Sequence, residues 1–344
     1  METNANIISH VLGYCPTNDF LFLAGVSKVW GHAWVAIGRP KLTGVSMAAA
    51  TCGRTEVVLD HQPFHHTAAP QGGIFCLAAK AGNLGGLQAA AREYGAGWNC
   101  LIIVQQMTAI AASRGHLAIL RWAKAEGCAL SAHTCRYAAE GGRLDILQWA
   151  REQGCAWNED TCQFAASGGH LDVLQWARSE GCPWNKDTCM LAAEAGHLHV
   201  LQWAREHECA WDARTCSSAA WGGHLEVLKW ARNEGCPWDK QVCNVAALHG
   251  NMAMLAWARE HGCPWDERTC SYAALEGRLD ILQWARARGC PWDDDTCDCA
   301  AQGGHIDVLR WALEEGCLWN PKRCASIAKT RKNAELAKFI EERG

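Results

Sequence analysis

The chain has 344 residues and a formal charge of −4, with 32 Lys and Arg against 36 Asp and Glu. This near balance argues against a nucleic-acid-binding surface, which needs clustered basic residues. The start has no basic n-region, and the apolar runs are far too short to cross a bilayer. We therefore expect an intracellular protein of the cytoplasm or the nucleus, with reduced thiols and no membrane partner.

Residues 1–45 combine an apolar stretch, a polar break and a second apolar stretch that ends in Val26-Ser27-Lys28-x-Trp30. The segment is similar to an F-box, a small helical module that docks on the Skp-type adaptor of a cullin ubiquitin ligase. The resemblance implies an adaptor-binding face made of Ile8, Val11, Leu12, Leu21, Leu23, Val26 and Trp30. The alternative is a helical cap that shields the remainder of the chain.

From about residue 46 the sequence is built from repeats. A glycine recurs every 27 residues through eight repeats, at Gly115, Gly142, Gly169, Gly196, Gly223, Gly250, Gly277 and Gly304. Degenerate repeats precede them at about 46–101, regular repeats run over about 102–320, and residues 321–344 lack the glycine and are rich in Lys, Arg and Glu. A fixed period predicts stacked supersecondary units, with the polar last segment as a cap.

Each repeat predicts two short helices, for example from about Asp160 to Ser167 and from about His170 to Glu180. An Asp-Thr pair suits the N-cap of the first helix, and a Gly-Gly pair ends it. The second helix has a broad apolar face, to which we expect its Trp to contribute a large buried area. No stretch alternates like a strand, so the predicted fold class is all-α.

Residues 165–174 read Ala-Ala-Ser-Gly-Gly-His-Leu-Asp-Val-Leu and are followed by Gly181 and Asn185. This segment resembles the ankyrin motif Ala-Ala-x-x-Gly-His-Leu-Glu-Val-Val with its later Gly and Asn. The resemblance implies an ankyrin-like helical solenoid. Ankyrin repeats have a period of about 33 residues, so the shorter period implies trimmed β-hairpin fingers. Only the 33-residue step from Gly82 to Gly115 leaves room for a normal finger. An F-box before short Trp-rich ankyrin repeats also resembles a protein group of large DNA viruses and protists.

Cysteine is abundant, with 21 residues, and pairs seven residues apart recur, such as Cys182 and Cys189. Four converging thiolates could bind zinc, but no His keeps a fixed distance from these pairs, and buried free Cys packs like a small hydrophobe. We therefore predict no metal site and no cofactor. A metal-storing or redox thiol array is the alternative.

Two further polar series recur in the repeats. The His after the turn, as at His170, is replaced by Arg or Asn in other repeats, which favours a structural contact. Carboxylates such as Asp172 lie in the first turn of the second helix, where they suit the helix dipole. The partners needed for acid–base catalysis are not evident, so no catalytic residue and no enzyme activity are predicted.

The position after the double Ala varies between repeats, and three neighbouring repeats carry apolar residues there: Trp221, Leu248 and Leu275. The residues four positions earlier are polar: Ser217, Asn244 and Ser271. An apolar stripe with a polar rim is typical of a binding groove. Packing against the adjacent repeat is the alternative.

These features together predict a monomeric protein–protein interaction module. The repeats would bind a protein target, and the N-terminal segment would bind a Skp-type adaptor within an SCF-like ubiquitin ligase. The alternative is an ankyrin scaffold or decoy that binds a host or cellular protein without any ubiquitin link.

Overall fold

The structure is a computed structural model that describes residues 70–94 and 101–343. Within these residues the chain forms twenty helices and no strand, so the all-α prediction is confirmed there. The F-box-like segment, with all seven of its predicted adaptor-binding residues, and the first degenerate repeat around Gly53 lie outside the described residues. None of the described helices is both long enough and apolar enough to cross a membrane.

The helices form ten consecutive pairs. The first helices of the pairs are α1 (Pro70–Lys80), α3 (Leu101–Arg114), α5 (Ala132–Glu140), α7 (Glu159–Ser167), α9 (Lys186–Glu194), α11 (Ala213–Trp221), α13 (Gln241–Leu248), α15 (Glu267–Leu275), α17 (Asp294–Gly303) and α19 (Pro321–Thr330). The second helices are α2 (Leu84–Tyr94), α4 (Leu117–Ala125), α6 (Leu144–Glu152), α8 (Leu171–Ser179), α10 (Leu198–Glu206), α12 (Leu225–Asn233), α14 (Met252–Glu260), α16 (Leu279–Ala287), α18 (Ile306–Glu314) and α20 (Ala334–Glu341).

The chain divides into two compact units, Met1–Thr161 and Cys162–Gly344. In the first unit α3 packs against α4 and against both neighbouring first helices, α1 and α5. In the second unit α9 packs in the same way against α10 and α11. Each unit is therefore a solenoid-like stack in which a helix pair buries its apolar face against its neighbours, as the period predicts.

Four first helices, α9, α11, α15 and α19, are capped by the Asn or Asp that follows the Trp of the preceding connection. The Asn185 Oδ1 accepts a hydrogen bond from the backbone N–H of Asp187 at 2.9 Å, and the Asp212 Oδ1 accepts one from Arg214 at 3.0 Å. The prediction that the Asp-Thr pair supplies the cap is wrong. Thr188 instead lies inside the first turn with no exposed surface, because the helix begins ahead of it.

Left-handed residues end the helices, as predicted. Gly169 has φ +74° after α7, and the backbone N–H of His170 bonds the carbonyl of Ala165 at 2.9 Å. Among the described residues, two non-glycine residues adopt this conformation, Glu208 with φ +63° and Lys332 with φ +54°. Lys332 lies between α19 and α20, so the C-terminal segment that lacks the glycine is a tenth helix pair with the same turn.

The core consists of small and aliphatic side chains. Ala192, Ala193, Val200, Leu201 and Ala204 of the α9–α10 pair have no exposed surface. The Trp side chains of the second helices α8, α10, α12, α14, α16 and α18 are half-buried and lie at the edge of this core. Close approach of the helices requires Ala at their contact, which leaves no room there for an indole.

A second series of Trp residues lies in the connections between pairs and contacts the Trp of the second helices. In the second unit, the Trp of one connection packs edge-on against the Trp of the following second helix, with ring centroids 5.8–6.2 Å apart. The pairs are Trp184–Trp203, Trp211–Trp230, Trp238–Trp257, Trp265–Trp284 and Trp292–Trp311. These contacts fasten successive helix pairs to each other.

The connections are short. Residues 180–185 join α8 to α9 without a strand. In the longer step from Gly82 to Gly115, α2 has 11 residues and α3 has 14, against nine in α8 and nine in α9. The additional residues of this step belong to the longer helices α2 and α3. The segment between these two helices, residues 95–100, has the same length as the segment 180–185 between α8 and α9. The expectation of a normal finger in this step falls on residues 95–100, which lie outside the described residues.

Candidate protein-binding surface

Trp221, Leu248 and Leu275 are the last residues of α11, α13 and α15, three successive first helices of the second unit. The ends of successive first helices approach closely. A Cβ on Gly222, just after α11, would lie 2.0 Å from the carbonyl oxygen of Glu194 at the end of α9. Because α11 packs on α13 and α13 on α15, the three apolar residues follow one another along the stack.

The three residues differ in burial. Trp221 is 51% exposed, whereas Leu248 and Leu275 are half-buried. The Trp221 ring lies 4.8 Å from the ring of His249, the residue that follows α13. The indole therefore reaches across to the next repeat while half of it stays accessible.

The polar residues one turn earlier do not form an exposed rim. Asn244 is fully buried, and its Oδ1 accepts a hydrogen bond from the Thr269 hydroxyl on α15 at 2.6 Å. Ser271 is 5% exposed and donates to the carbonyl of Glu267 at 3.0 Å. The adjacent first helix covers these positions, while the helix ends remain open. Only Ser217 is half-exposed, so the predicted rim is wrong at two of its three positions.

Two apolar residues three positions before the helix ends were missed by the sequence analysis. Leu191 on α9 and Tyr272 on α15 are both half-buried. Positions i and i+3 lie on the same side of a helix, so helical spacing within each first helix could have identified them. We call Leu191, Trp221, Leu248, Tyr272 and Leu275 the helix-end surface.

Ion pairs join the opposite, N-terminal ends of the first helices. Lys186 Nζ lies 2.9 Å from Asp212 Oδ2, and Arg214 Nη2 lies 2.8 Å from Asp187 Oδ1. Partial burial acts to raise the pKa of the Asp212 carboxyl, but its bonds with Lys186 and Arg214 hold that pKa below its ordinary value. These ion pairs join α9 to α11 at their N-terminal ends, while the helix-end surface is apolar.

The recurrent His is a turn contact. The ring of His197 lies over Gly169 so closely that a Cβ there would be 2.6 Å from its Cε1. Arg278 takes the same place over Gly250, where a Cβ would lie 2.8 Å from its Nε. Both a His and an Arg side chain can therefore pack over the turn glycine of the preceding repeat. Burial lowers the pKa of His197.

Within residues 70–94 and 101–343, no group of three or more His, Cys, Asp or Glu side chains is placed to hold a metal ion. A tetrahedral zinc site therefore has no ligand set in this part of the chain.

The helix-end surface is the feature of the second unit best suited to recognition. No protein-family model and no curated protein sequence matches the chain.

Proposed function

We propose that the chain is a protein-binding module and that its target packs on the helix-end surface. The observation that carries this proposal is the half-exposed Trp221 at the end of α11. Burial of apolar area is worth about 25 cal/mol per Å², and Trp is enriched at the energetic centres of interfaces. The half-buried Leu248 and Leu275 beside it would complete an apolar patch that spans three repeats.

We further propose that the repeats are of the ankyrin type and that the F-box-like segment links them to a Skp-type adaptor. The chain would then be the substrate-recruiting subunit of an SCF-like ubiquitin ligase in the cytoplasm or the nucleus. It would perform no covalent chemistry itself. Support for the ankyrin assignment comes from residues 165–174 and from the stacked helix pairs. Support for the adaptor link comes from residues 1–45 alone.

A pull-down of the full chain with a purified Skp-type adaptor tests the ligase proposal. We expect the adaptor to bind the wild-type chain and the Trp221→Ala variant equally. We expect Leu21→Glu and Val26→Glu to abolish adaptor binding without loss of helicity. Failure of the folded wild-type chain to bind the adaptor removes the ligase proposal and leaves the scaffold or decoy alternative.

Affinity purification from the native cell tests target binding separately. We expect the wild-type chain to enrich one or a few proteins that the Trp221→Ala variant loses. Equal enrichment by both chains, with their helicity unchanged, would show that the target does not lie on the helix-end surface. The two experiments fail independently, because their variants change different segments.

A further inference from the structure

Two carboxylates lie at the two ends of the row of apolar helix ends that begins with Trp221 and finishes with Leu275. Glu194 is the last residue of α9, one first helix before Trp221, and its Oε2 accepts a hydrogen bond from the Ser218 hydroxyl of α11 at 3.4 Å. Glu276 follows Leu275 directly and is exposed. Neither carboxylate forms an ion pair with another described residue. A partner on the helix-end surface would therefore meet an uncompensated negative charge at each end of the row.

Both carboxylates lie at the C-terminal end of a helix, where the helix dipole favours a positive charge. The last residues of α1 and α3, Lys80 and Arg114, follow that preference. Glu194 and Glu276 oppose it, so each lowers the stability of its own helix rather than raising it. The stability of the fold therefore does not account for these two residues.

The turns that join first to second helices in the second unit have the same sign of charge. From the last residue of α9 to the first turn of α18, with His neutral, these turns contain Arg278 and five carboxylates: Glu194, Glu226, Glu276, Asp280 and Asp307. Glu226 is paired with Lys229 at 2.7 Å. The Arg side chains that cover the connection Trp rings, such as Arg205 over Trp211, belong to the opposite end of the helices. Electrostatic complementarity therefore favours a basic partner at the turns.

The spacing of the helix ends favours an extended partner. Packed helices lie about 8–10 Å apart, so the ends of α9, α11, α13 and α15 cover about 24–30 Å. Three residues of polyproline II rise about 9 Å, so every third residue of an extended segment would reach the next helix end. On the basis of the proposed function, we infer that the helix-end surface binds an extended segment of the target in which Lys or Arg flanks apolar residues. The cations pair with Glu194 and Glu276, and the apolar side chains pack on Trp221, Leu248 and Leu275.

Selection from a phage-displayed library of random peptides, with the folded full-length chain as bait, tests this inference. Peptides of about twelve residues suit the surface, because in polyproline II conformation they cover about 37 Å. We expect the wild-type chain to enrich peptides in which Lys or Arg flanks apolar residues. A chain that carries both Glu194→Lys and Glu276→Lys should enrich acidic peptides instead. It should remain folded, because both changes place a cation at a helix C-terminus.

The matched control carries Glu206→Lys and Glu260→Lys. These residues are the exposed last residues of the second helices α10 and α14, at the end of the helices opposite the turns. The control chain should enrich the same peptides as the wild type. Fluorescence polarisation with the most enriched peptide should show about tenfold weaker binding to the charge-reversed chain and unchanged binding to the control. If the charge-reversed chain unfolds, Glu194→Gln and Glu276→Gln test the same loss without a new charge.

Enrichment of neutral or acidic peptides by the wild-type chain would overturn this inference. So would equal affinity of the wild-type and charge-reversed chains for the selected peptide. If Trp221→Ala still abolishes binding of that peptide, the proposed function stands and only the basic character of the target is wrong. If Trp221→Ala leaves binding unchanged, the peptide site lies elsewhere and the proposed role of the helix-end surface fails too. Absence of any enriched peptide also overturns the inference, and the affinity purification then decides the proposed function by itself.

Discussion

Trp211 lies edge-on against Trp230 of the following second helix, with ring centroids 5.9 Å apart and ring planes at 62°. The Arg205 guanidinium covers the Trp211 ring at 4.3 Å from its centroid. Edge-to-face pairs contribute roughly 0.5–1.5 kcal/mol beyond their buried area, and a cation over the ring adds roughly 0.5–1 kcal/mol at a partly exposed site. Because the connections of the second unit contain no strand in the described part of the chain, these stacked side chains hold neighbouring helix pairs in register.

A double-mutant cycle on this pair should show coupling. Trp211→Ala and Trp230→Ala should each lower the free energy of unfolding, because each removes half-buried aromatic area. The double variant should lose about 1 kcal/mol less than the sum of the two, the value of the edge contact. Urea unfolding followed by circular dichroism measures all three. Strict additivity would show that the rings contribute area only. Trp203 and Trp230 belong to different ring pairs and should give no coupling.

Two buried threonines should respond oppositely to the same isosteric change. The Thr269 hydroxyl donates to the buried Asn244 Oδ1, so Thr269→Val leaves that oxygen without its donor and should cost about 1–3 kcal/mol. The Thr215 hydroxyl is buried without a hydrogen-bond partner, so Thr215→Val should be neutral or stabilising. Val242 already occupies the equivalent position in one repeat. Unfolding midpoints of the two variants decide the matter; equal losses would contradict the role of Asn244.

Glu208 has a strained backbone conformation, and replacing it with Gly should relieve the strain. It has φ +63°, and most other repeats place a left-handed glycine after the second helix. A non-glycine residue in this conformation costs about 1–2 kcal/mol, partly offset by the greater entropy that Gly loses on folding. Glu208→Gly should therefore raise the stability by about 0.5–1 kcal/mol, measured by thermal unfolding.

The matched opposite change is Gly235→Glu. Gly235 has φ +81°, and a Cβ there would meet no atom within 4 Å, so the substitution tests the backbone alone. It should lower the stability by a similar amount. If Glu208→Gly destabilises the protein instead, the Glu208 side chain contributes more than the strain costs.

Trp221→Ala should weaken target binding about 30-fold, the ~2 kcal/mol typical of an interface hot spot. The loss of stability should be small, because about half of the side chain is already exposed and it contacts His249. Leu248→Glu and Leu275→Glu should abolish binding, with some loss of stability because both residues are half-buried.

Leu318→Ala is the control for this prediction. Leu318 is 76% exposed but lies in the connection between α18 and α19, outside the helix-end surface. Calorimetry or surface plasmon resonance with the target from the affinity purification measures the affinities. Equal weakening by Trp221→Ala and Leu318→Ala would contradict a specific role of the helix ends.

The conformational preferences of residues close together in the chain made much of the fold predictable. Glycine tolerates positive φ, so Gly169 and Gly181 indicate where helices end, and helical spacing identifies the buried faces of Val200 and Leu201. The same rules located Trp221 at a helix end. They did not show that Asn244 is covered by Thr269, because that contact joins residues 25 positions apart on different helices.

The period can be read from the amino-acid order, and so can the two helices of each repeat and the turns between them, since helices and turns depend on residues within one or two helical turns. The contacts between recurrent side chains depend instead on how the helices pack. Cys182 stands seven residues before Cys189 and twenty after Cys162, and both separations recur in every regular repeat. A periodic chain cannot distinguish these two spacings, and the packing of helix on helix decides that the Cys162 Sγ lies 4.0 Å from the Cys182 carbonyl oxygen.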